Sequence, residues 1–173
     1  MAACLLPCAL PLSISNSPAA ADSVRHLQPA IQSNRPGFSL PTIDGSQLDL
    51  RQHAGRVVLV HFFATWCEPC REELNSLSRL LQGANGTRFA VVAVNVAEVP
   101  VRVRRFLDAT PVPFPVVLDT DRVVTRGWDV SILPTTFVLD SKHTIRLFVE
   151  GDVDWTRPDI VSALQALDTE AAK

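Results

Sequence analysis

The sequence predicts an α/β fold in which helices cover both faces of a mixed central sheet. Two apolar runs, Val57–Phe63 and Phe89–Val96, are rich in β-branched residues, which is typical of strands buried on both faces. Between them, Cys70, Leu74 and Leu77 recur at helical spacing, and glycines follow where the pattern stops. The resulting β-α-β unit forms the centre of the predicted fold.

The composition fits one globular domain. The chain has 173 residues, 47% of them apolar, which is enough to bury a core without disulfide staples. With 16 basic and 18 acidic residues the net charge is −2, and neither sign forms a long run. The charge therefore gives no argument for binding to nucleic acid or to an anionic membrane surface, and we expect no nucleic-acid partner. We expect the domain to be a monomer.

Residues 1–36 have the composition of a leader and linker, ahead of a folded domain at 37–168 and a tail at 169–173. An apolar stretch at 2–12 and three alanines before Asp22 resemble a secretory signal peptide. The usual positive flank is missing, so a low-complexity leader or a misplaced start codon is the alternative. The signal-like order predicts a periplasmic or otherwise extracytoplasmic protein.

Ahead of the central strand, the sequence predicts a β-hairpin. Residues 38–43 and 47–50 have strand character, and Asp44-Gly45 between them suits a tight turn with positive φ.

Beyond the β-α-β unit, the predicted elements alternate again. They are a helix at 99–109, a strand at 116–118, a short helix capped by Asp121, strands at Thr135–Leu139 and 145–149, and a closing helix at 154–167.

The central strand leads into a C-x-x-C motif. This junction places Cys67 at a helix N-terminus, where unpaired N–H groups and the helix dipole favour a thiolate. Cys70 lies one turn further in, so we expect Cys67 to be the exposed nucleophile and Cys70 the buried resolving thiol. Pro69 lacks an N–H group and suits the first helical turn.

Two other uses of the cysteine pair fit the sequence less well. A zinc site needs four ligands, and the two remaining cysteines, Cys4 and Cys8, lie in the predicted leader. A purely structural disulfide across so short a loop removes little entropy from the unfolded chain. We therefore expect a redox-active pair with no metal and no other cofactor.

The run F-F-A-T-W-C-E-P-C-R-E-E-L at 62–74 resembles the active site of the thioredoxin superfamily, in particular its TlpA/ResA-like extracytoplasmic thiol-disulfide oxidoreductases. Three further segments resemble the same family. They are the N-terminal hairpin at 38–50, the central insertion at 114–119 and the cis-proline loop at 132–137. The resemblance implies a thioredoxin-like fold with an N-terminal β-hairpin and a central βα insertion.

The resemblance also implies site residues around the cysteines. Pro134 becomes the cis-proline beside the disulfide, and a cis bond would turn the Leu133 backbone toward a substrate segment. An ordinary strand-opening proline is the alternative for Pro134. Trp66, Leu133 and Thr135 join the predicted substrate-binding or tuning residues.

Two acidic residues near the motif have predicted roles. Glu73 corresponds to the family's acid, which would move protons during exchange, and a solvated first-turn carboxylate is the alternative. Glu68 lies between the cysteines, where its negative charge disfavours a thiolate and makes the reduced pair a better reductant.

His61 departs from the family, whose members carry aspartate or asparagine at this strand position. Alternation places its side chain under the active-site helix, within reach of Cys70. It either exchanges the proton of the resolving thiol or is a neutral core histidine satisfied by backbone groups. Asn75 is a second departure, since it replaces a helix-kinking proline, and we expect a straighter helix.

The leading functional prediction is an extracytoplasmic disulfide reductase. Its partners would be client protein disulfides, in cytochrome c maturation, copper-site assembly or general reduction, and a membrane electron donor that reduces disulfides. The alternatives are a peroxiredoxin-like peroxidase, for which Thr65 lies too close to Cys67, and a copper metallochaperone, for which His143 is the downstream candidate ligand.

Overall fold

The computed structural model describes residues 27–30, 35–83 and 88–171. The predicted signal-like segment and most of the predicted linker lie outside these residues. The strands are Gln28–Pro29 (β1), Ser39–Pro41 (β2), Gln47–Asp49 (β3), Val57–Phe63 (β4), Phe89–Val96 (β5), Val116–Asp119 (β6), Thr135–Leu139 (β7) and Ile145–Glu150 (β8). The α-helices are Glu68–Gln82 (α1), Pro100–Ala109 (α2), Val123–Gly127 (α3) and Pro158–Ala171 (α4), and a 3-10 helix spans Leu50–His53.

Six strands form one mixed sheet in the order β1-β8-β7-β4-β5-β6. Strands β4, β5 and β6 are parallel, whereas β7, β8 and β1 pair antiparallel. The predicted mixed sheet is confirmed, and both central strands have the predicted bounds. Because β4 lies between β5 and β7, its carboxyl end delivers the C-x-x-C motif from the middle of the sheet.

Side chains of β4 alternate between two hydrophobic cores, one on each face of the sheet. Leu59 and Phe63 pack with residues of α1, α2 and α4, and this core contains both cysteines. Val60 and Phe62 pack with α3 and with the β2–β3 hairpin on the other face. Every residue of β4 is buried, which explains its continuous apolar run.

The predicted N-terminal hairpin is confirmed. Strands β2 and β3 pair antiparallel, with Leu40 opposite Leu48. Gly45 has a φ of 92°, which glycine adopts without strain, and the Asp44 carboxylate accepts from the N–H group of Ser46 at 3.0 Å.

The predicted cap of the short helix α3 is wrong. Its N-cap residue is Arg122, and the buried Asp119 accepts from the N–H groups of Val124 and Thr125 at 3.2 and 2.7 Å. The Asp121 carboxylate accepts only one hydrogen bond from the helix, from the N–H group of Val123 at 3.3 Å. Asp119 takes this role because it ends β6 where the chain turns toward the helix.

Two other boundaries differ from prediction. The closing helix begins at Pro158, not at 154, because residues 154–157 form a turn in which Asp154 accepts from the N–H group of Thr156 at 3.0 Å. Strand β1 lies in the predicted linker and pairs with β8, which makes β1 an edge strand of the sheet. By contrast, α1 runs without a break over 15 residues through Asn75, and its straightness stays a prediction.

Within the described part of the chain, no helix has the length and apolar character that crossing a membrane requires.

Candidate active site

Cys67 and Cys70 form a disulfide at the start of α1, with a Cα–Cα distance of 5.3 Å. Cys67 is the N-cap residue, and its Sγ lies 3.3 Å from the backbone nitrogen of Cys70. The predicted asymmetry is present, because Cys67 is 6% exposed and Cys70 is fully buried. Pro69 lies in the first turn as predicted. The helix dipole and the free N–H groups of this turn favour the thiolate of Cys67 over its thiol.

Glu98 holds the turn that precedes Cys67, a role that the sequence pattern did not reveal. Its carboxylate accepts from the backbone N–H group of Thr65 at 2.7 Å and from the Thr65 hydroxyl at 2.6 Å. It also accepts from the side-chain amide of Asn95 at 2.7 Å. Asn95 and Glu98 lie at the carboxyl end of β5, next to the end of β4. Parallel strands bring their carboxyl ends to one edge of the sheet. This rule could have indicated from the sequence that Glu98 lies near Thr65.

Replacing Glu98 with glutamine is expected to loosen this turn. Three donors converge on the carboxylate, so an amide nitrogen there would face another donor. We expect a loss of about 1–3 kcal/mol in the free energy of unfolding and a slower reaction of Cys67. Urea unfolding measures the first effect, with the exposed Glu72→Gln as the matched control. Equal stability of the two variants would contradict the role of Glu98.

The loop before β7 carries the predicted cis bond, between Leu133 and Pro134. Pro134 accepts from the N–H group of Gly151 at 2.7 Å, and the Thr135 hydroxyl donates to the carbonyl of Ile132 at 2.8 Å. Leu133 packs against the core that contains both cysteines. Two hydrogen bonds therefore hold the loop, and Leu133 anchors it to that core.

Leu133 and Trp66 line the same cleft, which has a volume of about 390 Å³. Trp66 is 69% exposed although it directly precedes the buried Cys67. Val130 and Arg122 are among the other residues that line it. The structure thus brings two of the predicted substrate-binding residues together next to the more exposed cysteine.

Glu73 is buried on α1, one turn after Cys70, and is not a solvated first-turn carboxylate. Its Oε1 accepts from Trp155 Nε1 at 2.7 Å and from the Thr136 hydroxyl at 3.0 Å. Burial raises the pKa of Glu73 to about 8, although these two hydrogen bonds oppose the shift. The carboxyl group is therefore protonated at neutral pH in the oxidised protein.

His61 is fully buried, and its Nδ1 lies 2.9 Å from the Thr136 hydroxyl and 3.6 Å from Oε1 of Glu73. Burial lowers its pKa to about 3, so the ring is neutral and its contact with Glu73 is not an ion pair at neutral pH. No hydrogen bond of the described residues joins it to Cys70. His61 is therefore buried and neutral, and its hydrogen-bond partner is a side chain and not the backbone.

Thr136 and Trp155 are the residues that the sequence pattern did not single out here. Thr136 lies directly opposite His61 in the β4–β7 pairing, so an assumed register could have identified it. Trp155 precedes α4 and had no comparable signal. Both place a donor on Glu73.

Glu68 lies on the exposed side of α1, where Arg71 donates to its carboxylate at 2.9 Å. The positive charge of Arg71 therefore lies beside the negative charge that was predicted to act on the thiolate.

Neither alternative chemistry gains support from the neighbouring side chains. Thr65 has the wrong spacing for a peroxidatic turn, and its hydroxyl donates to Glu98. Among the described residues, no group of three or more His, Cys, Asp or Glu side chains could hold a metal ion. His143, the candidate copper ligand, lies in the turn between β7 and β8.

Comparisons with known proteins agree with this geometry. The model of the AhpC/TSA family matches residues 31–148. The chain is 38% identical over 119 residues to the thiol-disulfide oxidoreductase ResA of Bacillus subtilis, covering 69% of this chain and 66% of that protein. It is 30% identical over 138 residues to ResA of Geobacillus thermodenitrificans, covering 80% of this chain and 78% of that protein.

Among solved structures, a putative thiol:disulfide interchange protein DsbE from Chlorobium tepidum superimposes with a TM-score of 0.68 at 29% identity. The match covers 82% of this chain and 98% of that one. The fold is thioredoxin-like, as predicted. With a disulfide-forming C-x-x-C pair at a helix N-terminus and relatives of this kind, the chain belongs to the AhpC/TSA family and, within it, to the ResA-type thiol-disulfide oxidoreductases.

Proposed function

We propose that this protein reduces disulfides of extracytoplasmic client proteins. The observation that carries the proposal is the asymmetric pair at the start of α1, with the more exposed Cys67 at the helix N-terminus and Cys70 buried behind it. This arrangement suits a nucleophile and a resolving thiol.

The reaction transfers two electrons from the reduced pair to the client. The Cys67 thiolate attacks one sulfur of the client disulfide, forming a mixed disulfide and releasing the other client sulfur as a thiolate that takes up a proton. Cys70 then loses its proton and attacks Sγ of Cys67. The second client sulfur leaves as a thiolate and is protonated, and the protein is left with the Cys67–Cys70 disulfide. A membrane electron donor returns two electrons to the pair.

Glu73 is the proposed acceptor of the Cys70 proton. It lies one turn after Cys70 on the same helix and is 1% exposed. Its raised pKa supports this role, because the carboxyl group holds a proton at neutral pH once the disulfide has formed.

Client binding is assigned to the cleft lined by Trp66 and Leu133. An exposed tryptophan beside the nucleophile offers a large apolar contact to a client segment. Pro134 and Thr135 fix this loop, and the Leu133 backbone is the proposed pairing edge. The proposed clients are those of cytochrome c maturation, copper-site assembly or general reduction.

The proposed location is the periplasm or another extracytoplasmic compartment, and the proposed state is a monomer. Support for the location comes from the signal-like pattern of residues 2–21, which lies outside the described residues.

Reduction of insulin by dithiothreitol tests the proposed activity. We expect the protein to accelerate precipitation of the reduced insulin chains well above the rate of dithiothreitol alone. No acceleration would contradict the proposal. Consumption of hydrogen peroxide by the reduced protein would favour the peroxidase, and tight Cu(I) binding to it would favour the metallochaperone.

A further inference from the structure

Three buried side chains from three elements form a chain of hydrogen bonds that ends on Glu73, one turn after Cys70. His61 of β4 lies opposite Thr136 of β7, with Nδ1 2.9 Å from the threonine Oγ1. The same Oγ1 lies 3.0 Å from Oε1 of Glu73 on α1. All three residues are at most 1% exposed, so solvent does not compete for these contacts.

The donors and acceptors of this chain follow from one assignment, the direction of the hydrogen bond between Thr136 and Glu73. Trp155 Nε1 can only donate, and it points at Oε1 of Glu73 from 2.7 Å. Taking the Thr136 hydroxyl as its second donor, Oε1 uses both lone pairs as an acceptor, and the proton of the neutral carboxyl group then lies on Oε2. Thr136 has a single hydroxyl proton. Because it donates this proton to Glu73, its oxygen accepts a hydrogen bond from His61. This order requires the His61 proton to lie on Nδ1.

We propose that His61 and Thr136 are positioning residues for Glu73. The neutral His61 donates to Thr136 and thereby fixes the Thr136 hydroxyl proton on Oε1. Oε2 is then the oxygen that gains a proton when the Cys70 thiol loses one, and that returns it when the pair is reduced. This inference rests on the proposed function of Glu73.

The remaining polar atoms of the chain agree with this assignment. Oε2 of Glu73 and Nε2 of His61 are buried and have no hydrogen-bond partner in the part of the chain that the structure describes. Oε1 is fully occupied by donors, so Oε2 is the oxygen left to carry the proton of the acid. Nε2 is left as a lone pair, which matches a proton on Nδ1.

Several groups face Glu73 and contribute to its ionisation. His61 from β4 is neutral, Thr136 from β7 donates, and the disulfide of α1 does not titrate. From the segment before α4, Trp155 donates and the Val153 backbone also favours the carboxylate, whereas the negative charge of Asp152 opposes ionisation. The hydroxyl of Thr136 can be removed without changing any charge in this set.

Comparing Thr136→Val with Thr136→Ser in the oxidised protein tests the proposal. Valine keeps the branched shape without the hydroxyl, and serine keeps the hydroxyl. The Glu73 carboxyl titration would be followed by NMR of ¹³C-labelled glutamate, assigned with Glu73→Gln. We expect T136V to raise the midpoint by roughly one to two pH units, because the carboxylate loses a donor, and T136S to leave it nearly unchanged. No shift in T136V, or equal shifts in both variants, would overturn the proposal.

The tautomer of His61 gives a second readout, which is measured on the wild-type protein. A variant is needed only to assign the signal. Nitrogen-15 NMR of the wild-type imidazole, assigned with His61→Asn, should show the proton on Nδ1. A proton on Nε2 would overturn the assignment, because Thr136 would then have to donate to His61. Neither measurement depends on turnover. If the protein failed to reduce insulin but showed both the T136V shift and the proton on Nδ1, the proposed function would be contradicted. The proposed hydrogen-bond chain would still hold.

Discussion

Replacing Cys67 with serine is expected to reduce insulin turnover to the rate of dithiothreitol alone, with no covalent bond to any client. Serine is a poor nucleophile toward disulfides, but it is a good N-cap residue and can still accept from the Cys70 N–H group. The helix and the fold should therefore survive. Unfolding in urea would verify that the variant is folded.

Replacing Cys70 with alanine is expected to stop the same reaction one step later. Cys67 can still attack, but no resolving thiol releases the client, so a mixed disulfide accumulates. Cys70 is fully buried in an apolar core, which an alanine methyl group tolerates. Intact-mass spectrometry should show the client attached to C70A and not to C67S. A client attached to C67S through Cys70 would reverse the assignment of the two cysteines.

The stability of the oxidised protein is expected to fall as the pH rises above neutral. Burial raises the pKa of Glu73 from 4.5 to about 8, so the folded state binds more protons than the unfolded state in this range, and stability is lost with rising pH. Burial lowers the pKa of His61 from 6.5 to about 3, which has the opposite sign: stability rises with pH until 6.5.

The contributions of Glu73 and His61 to stability change in opposite directions between pH 4.5 and 6.5 and cancel there. Above pH 6.5 the His61 contribution no longer changes. From 6.5 to 8 the Glu73 contribution alone remains, and over about 1.5 pH units it removes ~2 kcal/mol from the free energy of unfolding. The alkaline side is the informative one, because surface carboxylates with a lowered pKa, such as Asp154, also act in acid.

Glu73→Gln is the matched control for this pH dependence. It removes the titrating group and should abolish the loss of stability between pH 6.5 and 8, whereas His61→Asn should retain that loss. Urea unfolding at several pH values with the disulfide intact measures both. An equal alkaline loss in wild type and E73Q would show that Glu73 is not the group responsible.

Much of the central fold follows from local patterns. The runs at Val57–Phe63 and Phe89–Val96 carry their own signal, because strands covered on both faces must be apolar throughout. The N-terminus of α1 is likewise marked by Pro69 and the cysteine pair. The boundaries that differed depend on tertiary contacts: Asp119 caps α3 from the end of a strand, and the two residues of β1 gain their structure from the edge of β8.

The candidate site divides in the same way. The cysteines and the cis bond at Pro134 could be placed from motifs, but the environment of Glu73 could not. It depends on Thr136 and Trp155, which lie 63 and 82 residues away along the chain and meet Glu73 only in the folded core. Glu98 acts on Thr65 in the same long-range manner.

A redox titration of the Cys67–Cys70 pair against glutathione or dithiothreitol buffers tests the central claim most directly. A reductase should have a midpoint potential in the range of thioredoxin, about −270 mV, or between it and that of the glutaredoxins, about −200 to −230 mV. A potential near about −120 mV, typical of strong periplasmic oxidants, would show that the pair accepts electrons from its clients and would contradict the proposed direction.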